Sequence, residues 1–291
     1  MKNQASSILL LIAVMIIWGS SFAITKDSVN TVPPIIFALV RMAVASILLL
    51  IVAQARGGIS KIPRPVPWKI IVLMGITGTT VYYICFNTAL VYTMASTAAL
   101  IQSFIPVVTV ILAFIFLKEP LSVKRLIGIG ISIAGVLFII FMAAPGGKAK
   151  NPLLGNLLIL ASVFIWATYT ILAKRLAYID PIMVTAYSIT VGTLFLIPAA
   201  FIELSGKSFP NFPVRTWLSA IYLGAMSTGI GLLLYNRSLK HLKAGETASF
   251  LNLMPVIGVI TSVIFLGENI TLWQVLGGAL VLTGVFISIK K

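Results

Sequence analysis

Ten apolar runs, each long enough to cross a bilayer as a helix, constrain this 291-residue chain more than any other feature. A helix needs about 20 mostly apolar residues to cross a hydrocarbon core of roughly 30 Å. The runs are continuous, whereas the strands of a membrane β-barrel alternate apolar and polar residues. We therefore predict an all-α integral membrane protein with ten transmembrane helices, at about 8–25, 34–53, 69–92, 95–117, 121–143, 152–176, 182–204, 215–239, 245–266 and 270–289.

Charge is scarce in this chain and strongly unbalanced. Only 9% of the residues are charged, whereas about a quarter are charged in an ordinary soluble domain. Lys and Arg number 21 and Asp and Glu number 6. Because the polar surface that a soluble enzyme or a nucleic-acid-binding domain requires is missing, we expect membrane lipids and a small-molecule substrate as partners, and no nucleic acid.

The sequence repeats itself after 148 or 149 residues, which predicts two domains, 1–144 and 145–291, of five helices each. Because five is an odd number of crossings, the second repeat enters the membrane upside down relative to the first. Such inverted repeats are typical of secondary transporters, whose substrate sites lie between the halves. The aligned pairs include Trp18 and Trp166, Trp68 and Trp217, Asn87 and Asn236, Pro106 and Pro255, Glu119 and Glu268, and Gly135 and Gly284.

The distribution of Lys and Arg predicts the orientation. Loops on the side of the N-terminus carry 15 of these residues and loops on the opposite side carry 5. Basic residues concentrate in cytoplasmic loops, so both termini are expected in the cytoplasm. Abundant Ile and Lys and short loops favour a bacterial plasma membrane. Lys2 and the small residues near Ala23 also resemble a secretory signal, but this segment has a counterpart later in the chain, which favours a permanent helix.

Four short motifs are the most distinctive part of the sequence: Trp18-Gly19-Ser20-Ser21, Arg41, Leu117-Lys118-Glu119-Pro120-Leu121 and Leu266-Gly267-Glu268-Asn269-Ile270, the last two each followed by a glycine-bearing helix. With these motifs the sequence resembles the ten-helix EamA branch of the drug/metabolite transporter superfamily. The resemblance covers the whole chain, and it implies a transporter, commonly an exporter of amino acids or related metabolites. It leaves the substrate open, because this branch is chemically diverse.

Polar and aromatic side chains within the predicted helices are the candidate substrate-cavity residues. Such groups are costly in lipid, so they either serve function or bond a neighbouring helix. For the amides and Gln102 both interpretations stay open, and the aromatic residues fit either a cavity or a packed core. The candidates are Trp18, Ser21, Arg41, Tyr83, Asn87, Gln102, Ser103, Trp166, Tyr169, Tyr235, Asn236 and Asn252.

Arg41 is a cation within the second predicted helix, and its counterpart in the second repeat is Ile189. The duplication of the sequence therefore does not account for an arginine at this position. Several roles are open: its side chain extends outward to the membrane surface, it bonds backbone carbonyls of other helices, or it takes part in substrate carboxylate contact or gating.

Prolines and glutamates at equivalent positions predict structural features in both repeats. Pro106 and Pro255 remove a helical hydrogen bond inside a predicted helix, so each marks either a hinge or a passive kink. Glu119 and Glu268 precede the fifth and tenth predicted helices, where we expect the carboxylates to stabilise the helix starts.

The sequence lacks the motifs of several other function classes. It has no phosphate-binding GxxxxGK[ST] loop, no Cys, His and Asp cluster for a metal, and no acid–base pair, so we expect neither an enzyme nor a cofactor. We predict a secondary transporter that exports small neutral or zwitterionic metabolites by alternating access. A carrier of hydrophobic drugs or lipid-linked metabolites and a passive channel are the alternatives. Whether the chain is a monomer or a homodimer is left open.

Overall fold

The computed structural model describes residues 2–142, 150–206 and 208–289, and regular secondary structure there is helical throughout. The predicted boundary between the repeats, at residues 144 and 145, lies outside the described residues. The helical segments are α1 (Lys2–Val29), α2 (Pro34–Ala55), α3 (Trp68–Tyr92), α4 (Ala95–Leu117), α5 (Val123–Met142), α6 (Pro152–Arg175), α7 (Pro181–Leu204), α8 (Val214–Ser238), α9 (Ala244–Ser249, Phe250–Asn252 and Leu253–Leu266) and α10 (Leu272–Ile289).

Eight segments, α1 to α8, are long and apolar enough to cross a membrane. Two further apolar stretches in the described residues, Phe250–Leu266 and Leu272–Ile287, are shorter. The chain is therefore an all-helical, multi-pass membrane protein, as the sequence predicts. The number of ten crossings stays a prediction.

The segments of the two halves of the chain pack against one another in matching pairs. The C-terminal part of α9 packs on α1, and α4 packs on α6 in the same way. Likewise α8 contacts α1 and α2, while α3 contacts α6 and α7. Two further pairs, α2 with α7 and α5 with α10, join segments at equivalent positions. The buried apolar core consequently draws on both halves.

Two equivalent segments contain turns of π-helix, which is rare and often found at functional sites. They are Ile76–Val81 in α3 and Leu223–Gly231 in α8. Gly75 precedes the first turn and Gly224 is the second residue of the other. A Cβ on Gly224 would lie 2.5 Å from the carbonyl oxygen of Arg41. The backbone of α8 therefore approaches α2 very closely at this point.

Breaks in α4 and α9 lie close to the two prolines that the sequence singles out. The first part of α4 ends at Gln102 and the second part begins at Ile105, with Pro106 in its first turn. In α9 a 3₁₀ turn, Phe250–Asn252, precedes the part that contains Pro255. Proline has no N–H but fits the first turn of a helix, where N–H groups have no intrahelical acceptor. The interruption therefore falls just before each proline.

Charged side chains complete the helix ends at the corners of the bundle. Lys26 Nζ donates to the carbonyl oxygens of Leu90 (2.5 Å) and Thr93 (3.0 Å) at the end of α3. Lys174 Nζ is equivalent, and it donates to carbonyl oxygens of Leu239 and Leu242 after α8, each at 2.7 Å. A cation is favourable there because carbonyl groups at a helix C-terminus lack intrahelical donors.

Carboxylates of the second half bind N–H groups at helix starts in the first half. Glu203, at the end of α7, accepts from the N–H groups of Ile35 and Ile36 at 2.8–3.2 Å. Glu268 accepts from the N–H groups of Ala95 and Ser96 at 2.8 and 2.9 Å. Each carboxylate thus completes the first turn of a helix, α2 or α4, that belongs to the other half.

The prediction that Glu268 stabilises the start of the tenth helix is wrong, while the same role for Glu119 at the fifth helix stays a prediction. Glu268 caps α4, because the loop before α10 lies against the corner between α3 and α4. Residues three positions after each glutamate form hydrogen bonds at the two helix starts. Thr271 and Gln274 form a reciprocal capping box at the start of α10, and Ser122 accepts from the N–H of Arg125 in α5 at 3.4 Å.

Glycine brings α5 and α10 together closely. A Cβ on Gly135 would lie 2.7 Å from the backbone nitrogen of Val281, whereas a Cβ on Gly130 in the same helix would meet nothing within 4 Å. These two glycines therefore separate the effect of helix packing from the effect of helix propensity.

We expect Gly135→Ala to destabilise the protein and Gly130→Ala to leave its stability unchanged or slightly raised. Overpacking a close contact costs about 1–3 kcal/mol, whereas alanine at an open helical site gains about 0.5–1 kcal/mol. Thermal unfolding of both variants in detergent measures the difference. Equal unfolding midpoints for the two variants would contradict the close packing of α5 on α10.

Candidate functional site

A small cavity lies at the centre of the bundle, and segments from both halves form its walls. Its volume is about 30 Å³, which leaves room for about one or two water molecules. A metabolite is larger, so this conformation has a contracted central cavity. The lining residues are Trp18, Ser21, Phe22, Arg41, Tyr82, Tyr83, Phe86, Gln102, Ile105, Trp166, Ser227, Leu251 and Met254.

Arg41 is the charged residue of this cavity, and its side chain is only 1% exposed. Its Nη1 donates to Thr25 Oγ1 at 3.4 Å, and its Nη2 donates to Ser227 Oγ at 3.5 Å and to Thr228 Oγ1 at 3.2 Å. These distances are long for N–H···O bonds, which are usually about 2.9–3.0 Å. The Cζ atom lies 4.7 Å from the centre of the Tyr83 ring, and Nε has no hydrogen-bond partner among the described residues.

The guanidinium of Arg41 has no carboxylate partner within the described residues. A buried charge without a counter-ion is costly, and it favours an incoming group of the opposite sign. Among the described residues the buried Arg41 side chain bonds hydroxyl groups and no backbone carbonyl of another helix. The cavity therefore has a positive pole with unused donors, which suits a carboxylate.

Aromatic side chains from four segments pack together beside this positive pole. The equivalent residues Trp18 and Trp166 meet edge to face, with ring centres 5.3 Å apart. Trp166 also contacts Tyr82 (4.9 Å), Tyr169 (5.2 Å) and Tyr235 (5.9 Å). The two halves of the chain thus meet through an aromatic cluster, whose faces offer an apolar surface that also attracts cations.

The π-helical turn of α8 shapes the cavity from the second half of the chain. Trp18 Nε1 donates to the carbonyl oxygen of Ser227 at 2.8 Å. Hydroxyl groups of Ser227 and Thr228 approach Arg41, and the Thr228 hydroxyl lies 3.5 Å from Tyr83 Oη. The irregular turn therefore supplies both a carbonyl and two hydroxyl groups at one place.

Of the predicted candidates, Trp18, Ser21, Arg41, Tyr83, Gln102 and Trp166 line the cavity. Gln102 also bonds neighbouring helices, because its Nε2 donates to Tyr82 Oη (3.1 Å) and to Ser162 Oγ (3.2 Å). Ser21 Oγ donates to the carbonyl oxygen of Trp18 within its own helix. Tyr169 and Tyr235 lie in the aromatic cluster behind the lining.

The predicted asparagines lie outside the cavity lining in this conformation. Asn87 Nδ2 donates to the carbonyl oxygen of Pro34 at 3.0 Å, and Asn236 Nδ2 donates to Tyr169 Oη (2.6 Å) and Thr185 Oγ1 (2.9 Å). Both amides therefore join helices. Asn252 lies in the break of α9, and its Oδ1 is buried without a partner among the described residues. Ser103 lies in the break of α4, where its Oγ donates to the carbonyl oxygen of Leu100.

The family model described as "EamA-like transporter family" matches this chain twice, at residues 5–141 and 153–290. The chain belongs to the EamA-like transporter family. It is accordingly a transporter and not an enzyme, and the resemblance that the motifs indicate is confirmed.

EamA-like relatives in several microorganisms are similar over nearly their full length. One from Bacillus subtilis, "Uncharacterized transporter YyaM", is 29% identical and is matched over 95% of this chain and 91% of the relative. One from Streptantibioticus cattleyicolor, "Probable terminal-alkyne amino-acid exporter", is 28% identical over 95% and 91%. One from Salmonella typhimurium, "Probable amino-acid metabolite efflux pump", is 26% identical over 96% and 93%.

A crystal structure shares the fold of this family member. It superposes with a TM-score of 0.71 over 98% of this chain and 96% of its own, at 21% sequence identity. This likeness shows the fold alone.

The sequence patterns of this EamA-like chain do not predict several residues that form the site. Ser227 and Thr228 reach Arg41 only because α8 has a π-helical turn, which a regular helical periodicity does not predict. The sequence does contain a feature that marks the two turns, since small and hydroxyl residues cluster at the equivalent stretches 75–80 and 224–229. Phe22 and Phe86 are indistinguishable by type from the many apolar residues that face lipid.

We expect Arg41→Met to fold as stably as the native protein, or more stably. The substitution removes a buried charge with only long hydroxyl contacts and retains most of the side-chain volume, so little stabilisation is lost. Thermal unfolding in detergent without added solute provides the measurement. A loss of more than about 3 kcal/mol, typical of breaking a buried ion pair, would show that Arg41 holds the helices together.

Proposed function

We propose that this transporter is a secondary carrier that exports small neutral or zwitterionic metabolites, such as amino acids, across a bacterial plasma membrane. The buried guanidinium of Arg41 is the main support, because it offers unused donors to a carboxylate beside an aromatic surface. The ammonium group of a zwitterion would meet the faces of aromatic rings, to which cations are attracted. The names of two relatives, which refer to amino-acid export and amino-acid metabolite efflux, support the substrate class.

The proposed architecture is ten transmembrane helices in two inverted repeats, 1–144 and 145–291, with both termini in the cytoplasm. Its support is threefold: the 149-residue shift in the sequence, the matching helix pairs, and the two separate matches to the family model. The excess of basic residues on the side of the N-terminus supports the orientation.

Alternating access follows from this architecture as the proposed mechanism. A cavity of about 30 Å³ does not hold an amino acid, so the halves must separate to bind one and must expose it to one side at a time. The breaks before Pro106 and Pro255 lie beside the cavity, where Gln102 and Leu251 line it. Interrupted helices have fewer backbone hydrogen bonds to disrupt, so we assign the bending to these two places.

Counterflow in proteoliposomes tests this proposal. Vesicles loaded with one unlabelled amino acid should accumulate the same labelled amino acid against its gradient, and a panel of amino acids defines the substrate. A passive channel gives no saturable accumulation. If folded protein shows no counterflow for any member of the panel, the proposal is wrong and a carrier of hydrophobic or lipid-linked metabolites is favoured.

We expect Arg41→Lys to weaken transport through the substrate affinity. Lysine keeps the charge but loses the fork of N–H donors that binds a carboxylate with two bonds, and such a charge-assisted bond contributes about 1.5–3 kcal/mol, or roughly 10- to 150-fold in KM. The matched control is Arg237→Lys, at an exposed position in α8. Equal counterflow kinetics for both variants would exclude contact between Arg41 and the substrate carboxylate.

A further inference from the structure

A second and much larger opening lies on the side of the bundle away from the N-terminus. It is a groove of about 770 Å³ between the C-terminal part of α1, the N-terminal part of α8 and the C-terminal part of α9. Its walls include Ile24, Leu218, Tyr222 and Phe265. Of these, Leu218, Tyr222 and Phe265 are exposed large apolar residues, so the groove opens toward the bilayer.

The groove is separated from the central cavity by α1. Trp18, Ser21 and Phe22 line the cavity, whereas Ser20 and Ile24 line the groove on the opposite face of the same helix. Between the two spaces α1 packs directly on α9, since a Cβ on Gly19 would lie 2.7 Å from the Cβ atom of Ile257. Helix α1 and its contact with α9 therefore lie between the groove and the central cavity in this conformation.

The interior of the groove is mostly apolar. Ser20 Oγ already donates to the carbonyl oxygen of Ile17 at 3.0 Å, and Thr261 Oγ1 donates to that of Ile257 at 2.8 Å, so these two hydroxyl groups are satisfied within their own helices. The walls also contain Ala23, Ile24, Leu218, Phe265 and Leu266, which suit a hydrocarbon chain.

The length of the groove matches one leaflet of a membrane. Along α8 its lining extends from Val214 to Tyr222, which at 1.5 Å per residue is about 12 Å. Half of a hydrocarbon core is about 15 Å. A chain that enters at the membrane surface and lies in the groove would therefore end near the middle of the bilayer.

A cation lies at the end of the groove where a lipid headgroup would be. Arg215 is the second residue of α8, its side chain is 75% exposed, and its Nε lies 3.1 Å from Asp27 Oδ2. This ion pair uses one edge of the guanidinium. The Nη groups form no hydrogen bond within the described part of the chain, and they suit a phosphate oxygen.

We propose that this groove binds one phospholipid, with an acyl chain between α1, α8 and α9 and its phosphate on Arg215. If the proposed transport function holds, the lipid touches the back of the helix whose front lines the substrate cavity, and it supports α1 during transport.

Photo-cross-linking tests the proposal without any transport assay. The protein is reconstituted with phosphatidylglycerol that carries a diazirine at the end of one acyl chain, and labelled peptides are identified by mass spectrometry. We expect labels concentrated on the groove faces of α1, α8 and α9. Even labelling of every lipid-facing helix would overturn the proposal.

Two pairs of matched variants sharpen the test. Ser219→Phe fills the groove and should reduce groove labelling several-fold, whereas Ala279→Phe, at an exposed position on α10, should leave it unchanged. Arg215→Gln should reduce retention of the phospholipid in native mass spectrometry several-fold, and Arg237→Gln, an exposed cation at the other end of α8, should not. Unchanged labelling and retention in Ser219→Phe and Arg215→Gln would exclude the site.

Competition separates a resident lipid from a transported solute. Addition of the amino acids that show counterflow should leave the groove labels intact. Displacement of the labels by those amino acids would instead make the groove part of the solute pathway and overturn the proposal. A failure of counterflow leaves the cross-linking result untouched, so the two proposals fail separately.

Discussion

Backbone N–H and C=O groups cannot be left without partners in lipid, and this constraint governs the whole molecule. Helices pair most of these groups along their length. The N–H and C=O groups that still need partners are those at helix ends, π-helical turns and breaks. In this protein those irregular places are completed by side chains or face protein. Lys26 and Lys174 bind the carbonyl groups that follow α3 and α8, while Glu203 and Glu268 bind the N–H groups that begin α2 and α4.

The centre of the bundle combines the two kinds of irregular backbone with one buried charge. The π-helical turn of α8 brings hydroxyl groups to Arg41, and the breaks of α4 and α9 lie on the other side of the same cavity. Aromatic rings from both halves surround most of this small cavity. A charge in such surroundings is poorly compensated, so its interaction with a substrate carboxylate would be much stronger than at a surface.

The sequence predicts the class of the fold well because hydrophobic length and spacing are local properties. It also predicts that Trp18 and Trp166 are equivalent, and the structure brings the two rings into contact. Prediction from the sequence fails where the surroundings of a side chain depend on a second helix. Asn87 and Asn236 have the chemistry of a lining residue, yet both bond neighbouring helices, and Glu268 caps a helix far away in the chain. Rotation of a helix about its axis decides such outcomes, and a π-helical turn changes that rotation by an amount no periodicity shows.

The placement of Glu203 and Glu268 has a consequence for biosynthesis. Both residues lie in the second half of the chain, but the helix starts that they complete belong to the first half. During synthesis α2 and α4 enter the membrane before either carboxylate has left the ribosome. The N–H groups at the starts of α2 and α4 therefore lack these partners at first. The first half reaches its final arrangement only after the second half has been synthesised and has packed against it. A truncated chain that ends after α5 would contain the whole sequence of the first five helices, but the starts of α2 and α4 would lack the carboxylates that complete them.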